Sequence, residues 1–600
     1  MDETAVNEKQ EQLLSLKKSK DNSERDRQSY EGRWAKNINI VKGIFPADEM
    51  ARSKVRGRSK LYFRKVWSNN MRLLAALHSA FIRELDNFKI EGRGEEDVVK
   101  AKILHFMTEY RRDKMMRSQG LFMKFIHGFL DILECGCAPG ILHWDKEKDS
   151  PDFTPFPPEQ VYPDFAGAVA QDMQFIHFEA FITMDEMKRN GFENLDCASP
   201  VTAPYNAVRA ARNVNHRDPL QNPQENEYAA PGKHNHGEQE ASANGKYRIF
   251  HSFYRKGGKV YSCVTNGDMN EYHKSPKPGK FGDRFPVVLG LALPVAHRLI
   301  GEGFPEAQEG PQESYNDTLN RRKDNVALAM NKSTIVSRFG NVDLQSLVNS
   351  RAGAFTLADD VDAVKERNIQ DVTQSAYMEA SVDDAMMQEL SSVTDTKLGQ
   401  SKNEKATTAS INLQESNAKI DLFISIVGET YIRPFYSLLA YMIQKFETDE
   451  TVFRVANQTF RKKNPETPLP YDIYEVDDFE ADCIINIGLG TVGREVEVKN
   501  GFLLMDRMIM SNQAAANMMK LGAVPPGGMK VFDMTEVVTE IMPKLGYKDV
   551  SRFVVKIPVP PPQEGGGDPS AQGATGAMQP QIGELLDGAN DLQRGGNGGI

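Results

Sequence analysis

Between about Glu306 and Phe446 the pattern of apolar and polar positions changes character several times. A first helix carries Tyr315, Leu319, Val326 and Met330 on one narrow face, with polar residues elsewhere, the spacing of a seam packed against neighbours. The pattern then turns to β chemistry: Ser333 to Phe339, a Gly340-Asn341 turn, and Ala354 to Leu357. Helicity resumes near Val372. There Ala376, Ala380, Met387 and Leu390 share a face that Asp383 and Asp384 interrupt. A loop with Lys397, Lys402 and Lys405 follows. One long helix then starts near Ser410 with Ile411, Ala418, Leu422 and Ile426. It is expected to kink before Pro434 and to continue through Phe435, Leu438, Leu439, Met442 and Phe446. Two narrow-striped helices with a small β module at their far end make a poor enzyme core. They suit a rod-and-tip element that packs beside copies of itself.

The amino-terminal half mixes helices and strands. Residues 1–28 are charged and read as a solvated helix or arm, and the first folded unit starts at Tyr30 to Phe45. A helix with Trp67, Met71, Leu74, Leu77 and Phe81 on one face comes next, then one from Glu95 to about Tyr110 and an apolar one from Met115 to Leu133. Gly136 to Trp144 reads as a turn feeding a strand. Gln160 to Tyr162 and Gln174 to Glu179 read as further strands. Thr183 and Glu186 form a capping-box signature. Residues 198–245 lack periodicity and read as a long surface loop. Tyr247 to Tyr254, Gly257-Gly258 and Val260 to Val264 read as a hairpin. Residues 450–498 read as strands and 500–550 as helices. Residues 557–600, Pro/Gly-rich from Pro558, read as unstructured. The fold class expected is α+β, mainly helical.

The composition is that of an ordinary globular chain, with 40% hydrophobic and 26% charged residues. The apolar run Phe285 to Ala296 is too short and too proline-rich to span a bilayer, so no membrane segment is expected. The polar amino terminus shows no signal peptide. Five scattered cysteines fit a reducing compartment without a disulfide framework. A net charge of −10 argues against tight, static binding of nucleic acid, whose phosphates call for a basic footprint.

Motifs for small-molecule chemistry are weak. Gly488, Gly490 and Gly493 match a dinucleotide fingerprint formally, but Arg494 to Val498 alternates like a strand where that fingerprint needs a helix. A turn is the plainer reading, and nucleotide binding the alternative. Cys135 and Cys137 with His143 lack a second ligand pair at metal-binding spacing. His234 and His236 sit in the polar loop. Each Gly-Lys pair is followed by His, Tyr, Val or Phe, never by the Ser or Thr of a phosphate loop. No Gly-x-Ser-x-Gly elbow occurs. The expectation is therefore a chain that is not an enzyme, with no catalytic residue, no metal and no cofactor.

The order of blocks from about Trp34 to Val555 resembles the portal proteins of tailed bacteriophages, of the short-tailed type. The resemblance lies in Leu61 to Trp67 running into Leu73 to Leu77, Gly136 to Asp145, Pro157 to Asp164 before an aromatic strand, and Thr183 to Glu186. Further along it lies in the helix Gly310 to Asn331 before its β insert, Gly399 to Ile411, and Asn486 to Glu495. The resemblance implies a ring, usually of about twelve subunits, at one capsid vertex of the virion, assembled in the host cytoplasm. It would be the channel for genome packaging and ejection. It further implies a wing over 29–305 behind an arm at 1–28, a stem of 306–332 and 371–395, and a clip at 333–370. A tunnel loop would span 396–407, a long wing helix with returning strands 408–499, and a crown 500–556. Lys397, Lys402 and Lys405, with Arg321, Arg322 and Lys323, are the candidates for touching double-stranded DNA through its phosphates. Solvated faces, or an ion pair from Asp317 to the arginines, are the plainer readings of these cations. Arg338, Phe339, Arg351 and Phe355 are the clip candidates for docking terminase and then a tail adaptor. Capsid and scaffolding proteins are the remaining implied partners. A scaffold or connector subunit that never touches DNA is the alternative.

Overall fold

The computed structural model describes residues 3–45, 59–83, 88–92, 97–145, 148–167, 169–198, 208–209, 212, 246–279, 281–330, 334–337, 342–343, 345, 364–366, 373–391, 419–448, 452, 454, 481–485 and 506–513. Residues Met1–Val496 make one unit and Glu497–Ile600 a second. The described part of the second is a short helix at 506–513.

In chain order the first unit begins with α1 (Glu3–Lys42), α2 (Lys65–His78), a π turn (Ser79–Arg83), β1 (Phe88–Gly92), α3 (Asp97–Ser118) and α4 (Leu121–Cys135). Next come β2 (Cys137–Asp145), β3 (Ser150–Pro155), β4 (Val161–Pro163), β5 (Phe175–Thr183), α5 (Met184–Arg189), β6 (Lys246–Lys256), β7 (Lys259–Asn266), β8 (Tyr272–Pro278) and β9 (Val287–Leu291). The remainder is α6 (Phe304–Met330), β10 (Thr334–Val336), β11 (Val364–Glu366), α7 (Thr373–Ser391), helical residues 419–427 leading into a π turn (Gly428–Ile432), α8 (Arg433–Phe446) and β12 (Ala481–Ile485). The chain is mainly helical α+β.

Four antiparallel sheets are present among the described residues: β4-β5-β6-β7-β8, β3-β2-β9, β1-β12 and β10-β11. The largest core cluster joins α2, α3, α4 and α8 around Tyr431 of the second π turn. Tyr431 lies so close to Gly128 and Gly290 that a Cβ on either would fall within 2.7 Å of its ring or hydroxyl. A second cluster buries Trp34 of α1 against Phe178, Phe253 and Phe285.

Several expectations change. The amino-terminal segment is not a solvated arm, because α1 runs unbroken past Trp34 and lies on the five-stranded sheet. Leu13, Leu16, Ser23 and Arg27 are buried. Ser23 Oγ donates to the Pro163 carbonyl at 2.7 Å, and Arg27 Nη1 donates to that of Val161 at 3.0 Å. The guanidinium of Arg27 stacks 4.0 Å from the Tyr162 ring, so its charge does not keep it in water. The expected helix from Met115 is split: α3 continues to Ser118, Gly120 takes the left-handed conformation at φ 65°, and α4 starts at Leu121. The stretch 198–245 is not wholly a surface loop, since Val208 is fully buried and Arg209 and Arg212 are ion-paired. In the stretch expected as strands, Val452 and Arg454 are helical and Ala481–Ile485 is a strand.

Other expectations agree with the structure. The capping box at Thr183 is complete, and the Gly257-Gly258 hairpin pairs Lys256 with Lys259. Where a kink was expected before Pro434, the helix passes through a π turn, Gly428–Ile432. Among the described residues no helix is long and apolar enough to cross a membrane.

Candidate functional site

Two helices carry the candidate site. They run antiparallel: Arg322 of α6 stacks on Tyr377 of α7 at 4.2 Å. Ten residues back along α6, Gln312 bonds the backbone of Lys65, whose ammonium reaches Asp384 of α7 at 2.9 Å. The far ends lead into the two-stranded sheet of β10 and β11, where Thr334 pairs with Glu366 and Val336 with Val364.

The buried face of α6 differs from the expected apolar seam. Leu319 is buried, but Val326 is 36% and Met330 79% exposed. Burial falls instead on Gln308, Gln312 and Asn316. Together with Asn320 and Asp324 these recur every fourth residue; Gln312 to Asp324 form a ladder facing residues 59–64 and the first turn of α2. Backbone N–H groups of Ser59, Leu61 and Phe63 donate to Asp324, Asn320 and Asn316 at 2.5, 2.9 and 2.9 Å. Those of Lys65 and Val66 share Gln312 Oε1 at 3.1 Å. In return, Asn320 and Gln312 donate to the carbonyls of Leu61 and Phe63 at 2.8 and 2.7 Å. Four helical residues rise about 6.0 Å and two extended residues about 6.6 Å, so the rungs meet every other backbone unit. The recurrence of amide or carboxylate at every fourth position is plain in the sequence. It goes unnoticed because periodicity is sought in apolar residues.

On α7, Ala376, Ala380, Asp383, Met387 and Ser391 face inward. Leu390, expected beside them, instead continues a separate outward stripe. Met378, Val382, Met386 and Leu390 recur every fourth residue and are 68%, 57%, 51% and 44% exposed. This stripe is the clearest unpartnered apolar face on the helix pair, and it lies beside the expected seam.

The three cations of α6 do not act together. Arg321, 81% exposed, pairs with Asp317 at 3.0 Å. Arg322 packs over Tyr377, and Lys323 lies 5.7 Å from the ring centre of Phe63. Arg321 and Arg322 line a polar cleft of about 320 Å³ with Ser314, Asp317, Thr318 and Glu379. Lys397, Lys402 and Lys405 lie outside the described residues, as do Arg338, Phe339, Arg351, Phe355, Gly488, Gly490 and Gly493. Cys135 and Cys137 are buried. His143 lies six residues farther along β2 than Cys137, about 20 Å at strand spacing, so the three do not share a metal site.

No individual curated protein matches the chain. The family described as phage SU10 portal protein matches it over residues 138–582, well over half its length. That match takes in β2 through β12, both helices of the candidate site and the tip between them. The chain belongs to the phage SU10 portal protein family.

Proposed function

We propose that the chain assembles side by side into a closed ring at one vertex of a phage capsid and forms the channel through which the genome is packaged and ejected. The observation that carries this reading is the outward stripe Met378, Val382, Met386 and Leu390. Such a stripe leaves apolar surface in water on a lone chain and buries it once a second copy packs alongside. In this reading α6 and α7 are the stem, residues 333–370 the clip, 396–407 the tunnel loop and 500–556 the crown. A mechanism of this kind is geometric: the ring offers a bore, and a partner of the terminase class supplies ATP hydrolysis. Lys397, Lys402 and Lys405 would touch passing phosphates weakly and without base preference. Arg338, Phe339, Arg351 and Phe355 would dock terminase and then a tail adaptor.

Negative-stain electron microscopy with light scattering tests the assembly. A holed ring with a mass near twelve times 67.2 kDa is the expected result. A monomer or dimer under all assembly conditions overturns it. Replacing the three lysines with Glu should impair packaging while rings persist; unchanged packaging would favour a connector that never touches DNA. Changing Arg338 and Phe339 to Ala should impair docking with the ring intact.

A further inference from the structure

Helix α2 carries an exposed stripe of its own. Trp67, Met71, Leu74 and His78 follow one another at intervals of four, three and four residues and share one face. Trp67 is 42% exposed, and the other three are partly buried. The His78 ring lies edge-on to that of Phe122, 5.9 Å away, so the exposed Phe122 and Met123 extend the stripe onto α4. From Trp67 to His78 the stripe is about 17 Å long, and that of α7 from Met378 to Leu390 is about 18 Å.

The charges on the two helices are opposite. Residues 64–78 hold Arg64, Lys65 and Arg72 and no carboxylate. Helix α7 holds Glu379, Asp383, Asp384 and Glu389 and no cation. Lys65 pairs with Asp384 inside the chain at 2.9 Å. Among the described residues Arg64 and Arg72 form no ion pair with a carboxylate, and the exposed Glu379 and Glu389 form none with a cation. The Arg64 guanidinium lies instead 5.0 Å from the Trp67 ring, on the stripe itself.

The Lys65–Asp384 pair also shows which way the stripes point. Trp67 lies two residues past Lys65, and Val382 and Met386 lie two residues either side of Asp384. Two residues turn a helix by about 200°. Each stripe therefore faces away from the contact between α2 and α7 inside the chain, and the two look outward in opposite directions.

We propose that α7 of one copy packs on α2 of the next. Its stripe covers Trp67, Met71, Leu74 and His78, and Glu379 and Glu389 turn toward Arg64 and Arg72. The contact is heterologous: every copy gives one face and receives on the other, the kind of contact a closed ring repeats. Trp and Arg on the receiving face are residue types in which binding energy concentrates. The contact rests on the assembly proposed above and names the surface that receives the stripe.

Two variants of the full chain test it by light scattering. Met378→Gln/Val382→Gln/Met386→Gln keeps the receiving face, and Trp67→Glu/Met71→Gln keeps the α7 stripe. Each alone should be a monomer. Mixed in equal amounts they should give a dimer near twice 67.2 kDa and nothing larger, because one contact between them is intact. If Trp67→Glu/Met71→Gln still forms rings, α2 is not the receiving face and the assembly reading stands without it. If that variant alone stops at a dimer, α7 stripes pair with each other, which also overturns the contact. A parent chain that never assembles overturns both proposals. Oxidative cross-linking of assembled Met71→Cys/Val382→Cys gives a second reading. The two positions lie near the middle of their stripes and meet whichever way the helices run. A ladder of linked chains absent from either single variant is expected; rings without the ladder refute the contact.

Discussion

Helices α6 and α7 invert each other's chemistry. The buried face of α6 is mostly polar, whereas the outer face of α7 is apolar. Hydrogen bonding accounts for the first: every rung from Gln312 to Asp324 bonds the backbone of segment 59–66, and Gln308 accepts from Asn69 Nδ2 at 2.9 Å, so the polar groups are buried at little net cost. Among the described residues nothing plays that part for Met378, Val382 and Met386, which are exposed. Burial alone therefore does not tell which face holds the fold together. A paired polar face is finished within the chain, whereas the exposed apolar one is the face the proposed assembly would bury.

The largest effect should follow from Met378→Gln, Val382→Gln and Met386→Gln together. Light scattering is expected to show complete loss of the assembled species, with the unfolding midpoint of the single chain unchanged. Persisting assemblies would break the comparison at α7. Gln312→Leu attacks the other helix. It strands the N–H of Val66, while the Lys65 N–H and the Phe63 carbonyl keep their mutual bond at 2.9 Å, and should cost about 2 kcal/mol in urea unfolding at 1–3 kcal/mol per stranded group. A neutral result would mean that water replaces the ladder freely. Within α7, Met387→Ala removes a fully buried side chain and should cost about 3 kcal/mol. Its neighbour Met386→Ala should cost under about 0.5 kcal/mol in the same measurement while weakening assembly. Similar stability losses for the two would erase the distinction between the faces.

Much of the helical framework was legible because its apolar spacing is regular. The strand at Thr334–Val336, the return of helicity near Thr373 and the break in α-helical pattern before Pro434 follow from local chemistry; the strand expected at 354–357 lies outside the described residues, and Val364–Glu366 was not expected. Other elements escaped for identifiable reasons. Prolines at both ends of β3 and near the end of β8 hide strands, although an edge strand such as β8 tolerates them. Strand β9 is buried along nearly all of its length, so it lacks the alternation that marks a half-buried strand. The docking of α1 was missed because Arg27 and Ser23 count as polar. Their burial depends on carbonyls and a ring brought near by tertiary structure. For the same reason Arg209 and Arg212 gave no local signal; their partners lie in three distant elements. The outward stripe of α7 was visible only in part, since Met378, Val382 and Met386 compete with Ala376, Ala380 and Met387 for the same helical period.

The contact between α1 and β4 has a consequence of another kind. Strand β4 is one rim of the five-stranded sheet, and its outward carbonyls at Val161 and Pro163 are the ones Arg27 and Ser23 occupy. An open rim offers a template onto which a strand of another molecule can add. With α1 laid along it, that template is closed, and the sheet cannot grow through this rim into a neighbouring copy. Crowded chains are thereby denied a route to fibrous aggregation.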